Sequence, residues 1–177
     1  MVAVKKWFMF VSVILCLAVS VTAEASATEL YNAGINLIPY PQQVELGGDN
    51  FMLEGKLAIV IDKNASEADK FAAKELAGNI KKEWDVKVSV STSPAAKSII
   101  LTRKGAAEKL GDQGYHLSVT SNKVTIKANG EPGLFYGTQT LLQVIQKGYH
   151  GPYVKGCLLY TSPSPRDLST SRMPSSA

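Results

Sequence analysis

Two glycines one helical turn apart, Gly133 and Gly137, interrupt a strongly helical apolar segment, and no other feature limits the fold so tightly. Leu134, Thr138, Leu141, Leu142 and Ile145 recur at i, i+4, i+7, i+8 and i+11, which places them on one helix face. Pro132 suits the first helical position, and Gly148 stands where a helix stop is expected. Each glycine costs a helix about 1 kcal/mol relative to alanine. The pair therefore predicts close approach of the helix backbone to a sheet or to a neighbouring domain.

The preceding residues supply the sheet. Leu37-Ile38-Pro39-Tyr40-Pro41 is forced into an extended path by its two prolines, and Gln43–Leu46 reads as a short strand before the Gly47-Gly48 turn. Leu57–Ile61 is a continuous apolar run of strand length, predicted to be buried on both faces. Ser66 caps a first helix with Glu67 and Asp69 in its first turn and Lys81 and Lys82 in its last, each charge where the helix dipole favours it. Ala68, Ala72, Leu76, Ile80 and Trp84 form its apolar stripe, flanked by Phe71 and Ala77. Val86, Val88 and Val90 alternate with polar residues, and Ile99–Leu101 is another apolar run. Tyr115, Leu117 and Val119 alternate, Ser121-Asn122 turns, and Val124, Ile126 and Ala128 alternate back as a β-hairpin. Lys104–Leu110 is helix-friendly but short. The expected fold is α+β, a mostly antiparallel sheet with two main helices packed on one face.

The two ends differ from this middle. Lys5 and Lys6, the apolar run Trp7–Val21 and the small-residue exit at Ala23 make residues 1–23 a predicted secretory signal peptide, shorter than the roughly 20 apolar residues of a spanning helix. Residues 24–34 read as an extension of the mature chain. From Cys157 the composition turns abruptly to Ser, Pro, Thr and Arg. Cys157–Asp167 resembles one reading frame of a transposase-type sequencing adapter, and Ser171–Ala177 resembles the flow-cell end of the same adapter. Residues 157–177 are accordingly expected to be adapter-derived and disordered, and the reading frame interrupted. Setting aside 1–23 and 157–177 leaves 15 Lys and Arg (19 less Lys5, Lys6, Arg166 and Arg172) against 14 Asp and Glu (15 less Asp167). A net +1 offers no basic stripe for nucleic acid or for a membrane surface after signal cleavage. Cys16 leaves with the signal and Cys157 lies in the tail, so the middle holds no cysteine and must stand on its core.

Gly133-Leu134-Phe135-Tyr136-Gly137-Thr138-Gln139-Thr140-Leu141-Leu142-Gln143 resembles the G-x-F-Y-G-x-Q-T-L-L-Q signature that ends the N-terminal, non-catalytic domain of family 20 glycoside hydrolases, the β-N-acetylhexosaminidases. Leu37–Pro41 resembles that domain's opening, and family 84 glycosidases carry a similar G-x-x-Y-G-x-x-T-L element. The resemblance implies a supporting domain over 35–147, followed by the start of a linker at 148–156 leading to a catalytic barrel of the same polypeptide. It also implies a secreted or periplasmic parent enzyme that removes terminal N-acetylhexosamine from glycans. In that family the substrate's own 2-acetamido group attacks the anomeric carbon. An adjacent Asp-Glu pair on the barrel assists, and no adjacent Asp-Glu pair occurs in this sequence. No catalytic, cofactor-binding or metal residue is therefore carried over, and glycan is expected to meet the chain only through the parent. A stand-alone secreted carbohydrate-binding or scaffold module is the reading of a different class.

The remaining motifs favour structural roles. His116 lies in a strand and His150 in a Gly-rich loop, far apart and without cysteine partners. Asp62, Glu67 and Asp69 form an acidic cluster that helix capping explains for the last two. Trp84, Tyr115 and Tyr136 are candidates for a sugar-stacking platform, with Trp84 and Tyr115 better placed in a core. Gly130, Gly133 and Gly137 lack the Lys-Ser/Thr of a phosphate loop, and their surroundings are not those of a membrane dimer motif.

Overall fold

The computed structural model describes residues 27–38, 40–93 and 95–161; the expected signal peptide, Cys16 and residues 162–177 lie outside them. After a short helix α1 (Ala27–Asn32), the chain runs β1 (Gln43–Leu46), β2 (Phe51–Met52), β3 (Leu57–Ile61), α2 (Glu67–Trp84), β4 (Val88–Ser91) and β5 (Ser98–Thr102). A 3₁₀ turn at Glu108–Leu110 precedes β6 (Tyr115–Val119), β7 (Lys123–Ala128), α3 (Glu131–Val144), β8 (Ile145–Gly148), β9 (Gly151–Val154) and β10 (Cys157–Thr161). Seven strands form one sheet in the order β1-β10-β6-β7-β5-β3-β4, and β2-β9-β8 form a small second one. Antiparallel ladders join β1, β10, β6 and β7, whereas β7, β5, β3 and β4 run parallel. Including the antiparallel small sheet, the fold is α+β with antiparallel pairs in the majority.

The register puts one apolar face under the helices. Ile59, Ile99, Val124 and Val119 stand side by side across four strands, and Ile61, Leu101, Ile126, Leu117 and Leu159 make the next row. All nine are buried. The intervening residues, His116, Ser118, Thr125 and Lys127 among them, face the other way, the division expected of a sheet wet on one side.

The expected capping of α2 is present in full. Ser66 Oγ accepts from the Asp69 amide at 3.2 Å, and Asp69 Oδ2 accepts from the Ser66 amide at 3.1 Å. Its inward stripe differs from expectation. Ala72, Ala73, Leu76 and Ile80 are buried, while Ala68 is exposed and Phe71 is 56% exposed, because the buried capping carboxylate of Asp69 turns the first turn inward along its own side.

Of the two partners expected for the glycines of α3, the sheet is the one observed. A Cβ at Gly137 would lie 2.4 Å from Ile126 Cγ2 and 3.2 Å from the Tyr115 ring, and one at Gly133 would lie 2.5 Å from the Gly114 carbonyl oxygen. The helix ends sooner than expected. Val144 is its last residue, and Ile145 (φ −69°, ψ 126°) begins β8, so Gly148 closes a hairpin with Gly151 instead of stopping a helix. Two successive β-branched residues favour that change. Pairing with β9 and burial of Ile145 complete it.

Three expected boundaries are thereby corrected. Residues 148–156 form no linker but complete the small sheet through Gly151–Val154. The stretch before residue 35 is tied down: Leu30 is buried, and Gln146 Nε2 donates to the Gly34 carbonyl at 2.8 Å. The predicted disorder from Cys157 fails for its first five residues, since β10 lies between β1 and β6 with Cys157 and Leu159 buried. Alternation of side chains explains the strand, and it was masked by the Ser/Pro-rich composition that follows.

Two glycine substitutions separate close approach from mere helix content. Gly137→Ala must displace Ile126 and is expected to destabilise the fold by about 2 kcal/mol. Gly78→Ala, in α2 with nothing within 4 Å of the added carbon, is expected to stabilise it by about 0.5–1 kcal/mol. Urea unfolding of the two variants checks both signs.

Candidate functional site

Polar side chains gather in two places. The first is the end of the sheet where β3, β5 and β7 finish and both long helices begin. Arg103, just past β5, donates from Nε to Asp69 Oδ2 at 3.1 Å, and its Nη2 lies 3.8 Å from Glu131 Oε1 in the first turn of α3. It therefore joins the starts of both helices. Asp62, just past β3, accepts from Thr102 Oγ1 at 2.8 Å and lies 3.4 Å from Lys104 Nζ. Glu67 points outward to Lys70 at 2.7 Å, and that hydrogen bond holds its carboxyl below the usual value. The acidic cluster read from sequence thus divides into three carboxylates, each occupied by a cation or a cap.

Arg103 had no signature in the sequence, being one basic residue after an apolar run. Its importance comes from Asp69, which is 5% exposed and whose Oδ1 has no hydrogen-bond partner. A buried carboxylate needs its counter-charge.

The second place is an open cavity of about 360 Å³ on the face of the sheet away from the helices. Glu45, Lys109, His116, Lys127, Leu158 and Tyr160 are among its lining residues, and Lys109 Nζ stands 4.7 Å from the centre of the Tyr160 ring. Burial, and then the neighbouring charge of Lys127, push the His116 imidazole below its ordinary value of 6.5. His116 stands opposite Lys127 in the β6–β7 ladder and opposite Tyr160 in the β10–β6 ladder.

The other candidates are dispersed. His150 is exposed in the β8–β9 turn, edge-on to Tyr149 at 5.0 Å. Tyr115 is buried and its hydroxyl bonds Thr140 Oγ1. Trp84 is half-buried at the end of α2, and Tyr136 is exposed on α3, so the three aromatics present no common stacking face. The Cys157 thiol is buried, which raises its pKa to about 12 and leaves it inert as a nucleophile. Among the described residues, no group of three His, Cys, Asp or Glu side chains could hold a metal ion, and no helix is long and apolar enough to cross a membrane.

Comparison with known proteins points to one family. The model of glycosyl hydrolase family 20, domain 2, matches residues 34–158. A β-hexosaminidase of Porphyromonas gingivalis is 32% identical over 117 residues, which is 65% of this chain and 14% of that protein. A lacto-N-biosidase of Bifidobacterium bifidum is 31% identical over 86 residues, 48% of this chain and 8% of the relative. The structure of Streptomyces plicatus N-acetyl-β-hexosaminidase in complex with Thio-NAglucal superposes with a TM-score of 0.61 at 27% identity, over 72% of this chain and 26% of that one. The chain thus spans a small part of each relative's length.

Three variants test the roles assigned to these groups. Arg103→Leu leaves Asp69 buried without its cation and is expected to cost about 2 kcal/mol in urea unfolding, whereas Lys70→Ala, at the exposed pair, leaves the midpoint in place. For His116 the folded value lies below the unfolded one. The unfolded chain therefore takes up the proton first as pH falls, and the stability present above about 6.5 is lost as pH drops through the folded value. His116→Gln is expected to flatten the stability profile as pH falls below about 6.5, as thermal unfolding at a series of pH values would show.

Proposed function

The chain belongs to glycosyl hydrolase family 20, as that family's domain 2, and on this premise we propose that it is the supporting domain of a secreted β-N-acetylhexosaminidase. In that reading, residues 1–23 direct export and are removed, and the mature domain packs against a catalytic barrel of the same polypeptide. The observation that carries the proposal is the exposure of large apolar side chains on and beside the two long helices. Phe71 and Tyr136 are 56% and 46% exposed, on α2 and α3. Both helices start at the Arg103 end, so these residues, each in the second turn of its helix, stand at the same height. Ile38 is 85% exposed and its backbone is held to Gln143 of α3 through the Gln143 Oε1 bond at 3.2 Å. Large apolar side chains left exposed on one side of a domain favour a site of association there.

The chemistry belongs to the barrel. There the substrate's 2-acetamido group would attack the anomeric carbon, with an Asp orienting that group and the neighbouring Glu serving as general acid and then base. This chain supplies none of those groups and contributes a rigid face instead. Terminal N-acetylhexosamine residues of glycans are the substrate class of the whole enzyme.

A hybrid tests the reading. The matched segment of the Porphyromonas gingivalis relative is replaced by residues 24–161 of this chain, and hydrolysis of an aryl N-acetylglucosaminide is followed. The hybrid is expected to turn over substrate, and the 177-residue chain alone to show none. Phe71→Ser with Tyr136→Ser is expected to lower the melting temperature of the hybrid by several degrees and leave that of the chain alone within about 2 °C. Turnover by the chain alone would overturn the proposal. Binding of chitooligosaccharide by the chain alone, with a hybrid indifferent to both substitutions, would favour a stand-alone module.

A further inference from the structure

The seven-stranded sheet contains one strand whose sequence and position are at odds. β10 lies inside the sheet, in register with β1 over Gln43–Leu46 and with β6 over Tyr115–Val119. It is the strand that joins β1 to the rest, since β1 has no other ladder among the described residues. Yet its residues begin the segment in which the composition turns to Ser, Pro, Thr and Arg.

The walls of the cleft explain how such a segment fits. Backbone ladders on both sides are blind to side-chain identity. On the helical side, Val44, Val119 and Leu117 flank positions 157 and 159, where Cys157 and Leu159 are buried. On the other side, Leu158 and Tyr160 are half-buried and line the open cavity, with Lys109 over the Tyr160 ring. Gly156 sets the start of the strand: its carbonyl accepts from the Gly47 amide at 3.1 Å, and a Cβ there would lie 2.4 Å from the Gly47 oxygen. Register is thus determined by Gly156 and the β1 backbone, and the inward pattern by two apolar positions.

We infer that the cleft between β1 and β6 is a strand-acceptor site that specifies alternation alone. It takes an extended peptide segment with apolar side chains at the positions of Cys157 and Leu159, whatever occupies the positions between. The inference does not depend on the enzyme to which the domain belongs.

Two composition-matched variants of the full chain test it. One keeps the pattern (Cys157→Val, Leu158→Thr, Leu159→Val, Tyr160→Thr), and the other inverts it (Cys157→Thr, Leu158→Val, Leu159→Thr, Tyr160→Val). The readouts are melting temperature and hydrogen-exchange protection of the Val44 and Leu46 amides on β1. The pattern-keeping variant is expected to melt within about 5 °C of the parent chain with β1 still protected. The inverted one is expected to melt at least about 10 °C lower, or not to fold, with β1 exchanging freely. Equal loss in both variants would show that the cleft reads residue identity, and equal retention would show that it reads no pattern. Either result overturns the proposal.

Discussion

The contact of the α3 backbone with β6 and β7 is the constraint from which the other packing follows. With no side chain at Gly133 or Gly137, the helix settles onto Ile126, the Tyr115 ring and the carbonyl of Gly114. That depth lets the buried Tyr115 hydroxyl reach Thr140, and it brings Glu131 to within range of Arg103. α2 then packs beside α3, and its capping carboxylate meets the same guanidinium. At the other end of α3, Gln143 and Gln146 hold the incoming chain at Ile38 and Gly34. A methyl group at position 137 would therefore disturb an arrangement extending well beyond one helix.

Local signals proved legible where local chemistry decides the outcome. Ser66 and Asp69 carry the whole capping box within four residues, so α2 could be read directly. The β6–β7 hairpin likewise rests on alternation and a short turn. The errors arose where partners distant in sequence decide. Ile145 continues the helical periodicity of α3, but pairing with Val154 makes it a strand. Cys157–Thr161 looked like the start of a low-complexity tail, and only the cleft between β1 and β6 makes it a strand. Asp69 was legible as a cap but not as a buried ion pair, because Arg103 stands 34 residues away. Phe71 fell within the apolar periodicity of α2 yet lies outward.

The polar groups of the domain are consumed by holding it together. Asp62, Glu67 and Asp69 are each paired with a cation, and Thr140 is turned to Tyr115. His116 is suppressed by burial and Lys127. Catalytic sites ordinarily leave perturbed groups converging on a space where a substrate can sit. Here the one half-buried histidine faces lysines across an open cavity, and the buried thiol is pushed away from reactivity.

The same reasoning accounts for the recognisable signature of α3. In the string from Gly133 to Gln143, Gly133 and Gly137 admit the sheet, and Thr138 Oγ1 turns back to the Phe135 carbonyl at 2.7 Å. Thr140 bonds Tyr115, Leu134 and Leu141 fill the core, and Gln143 binds both the amide and the carbonyl of Ile38. Tyr136 alone projects outward as a large exposed side chain of the string. Seven of the eleven positions, Gly133, Leu134, Gly137, Thr138, Thr140, Leu141 and Gln143, thus answer to a steric or hydrogen-bonding demand within the domain. A motif of this kind reports the geometry of a joint. Family membership could accordingly be read from the helix, because its signature residues are those that hold the domain together.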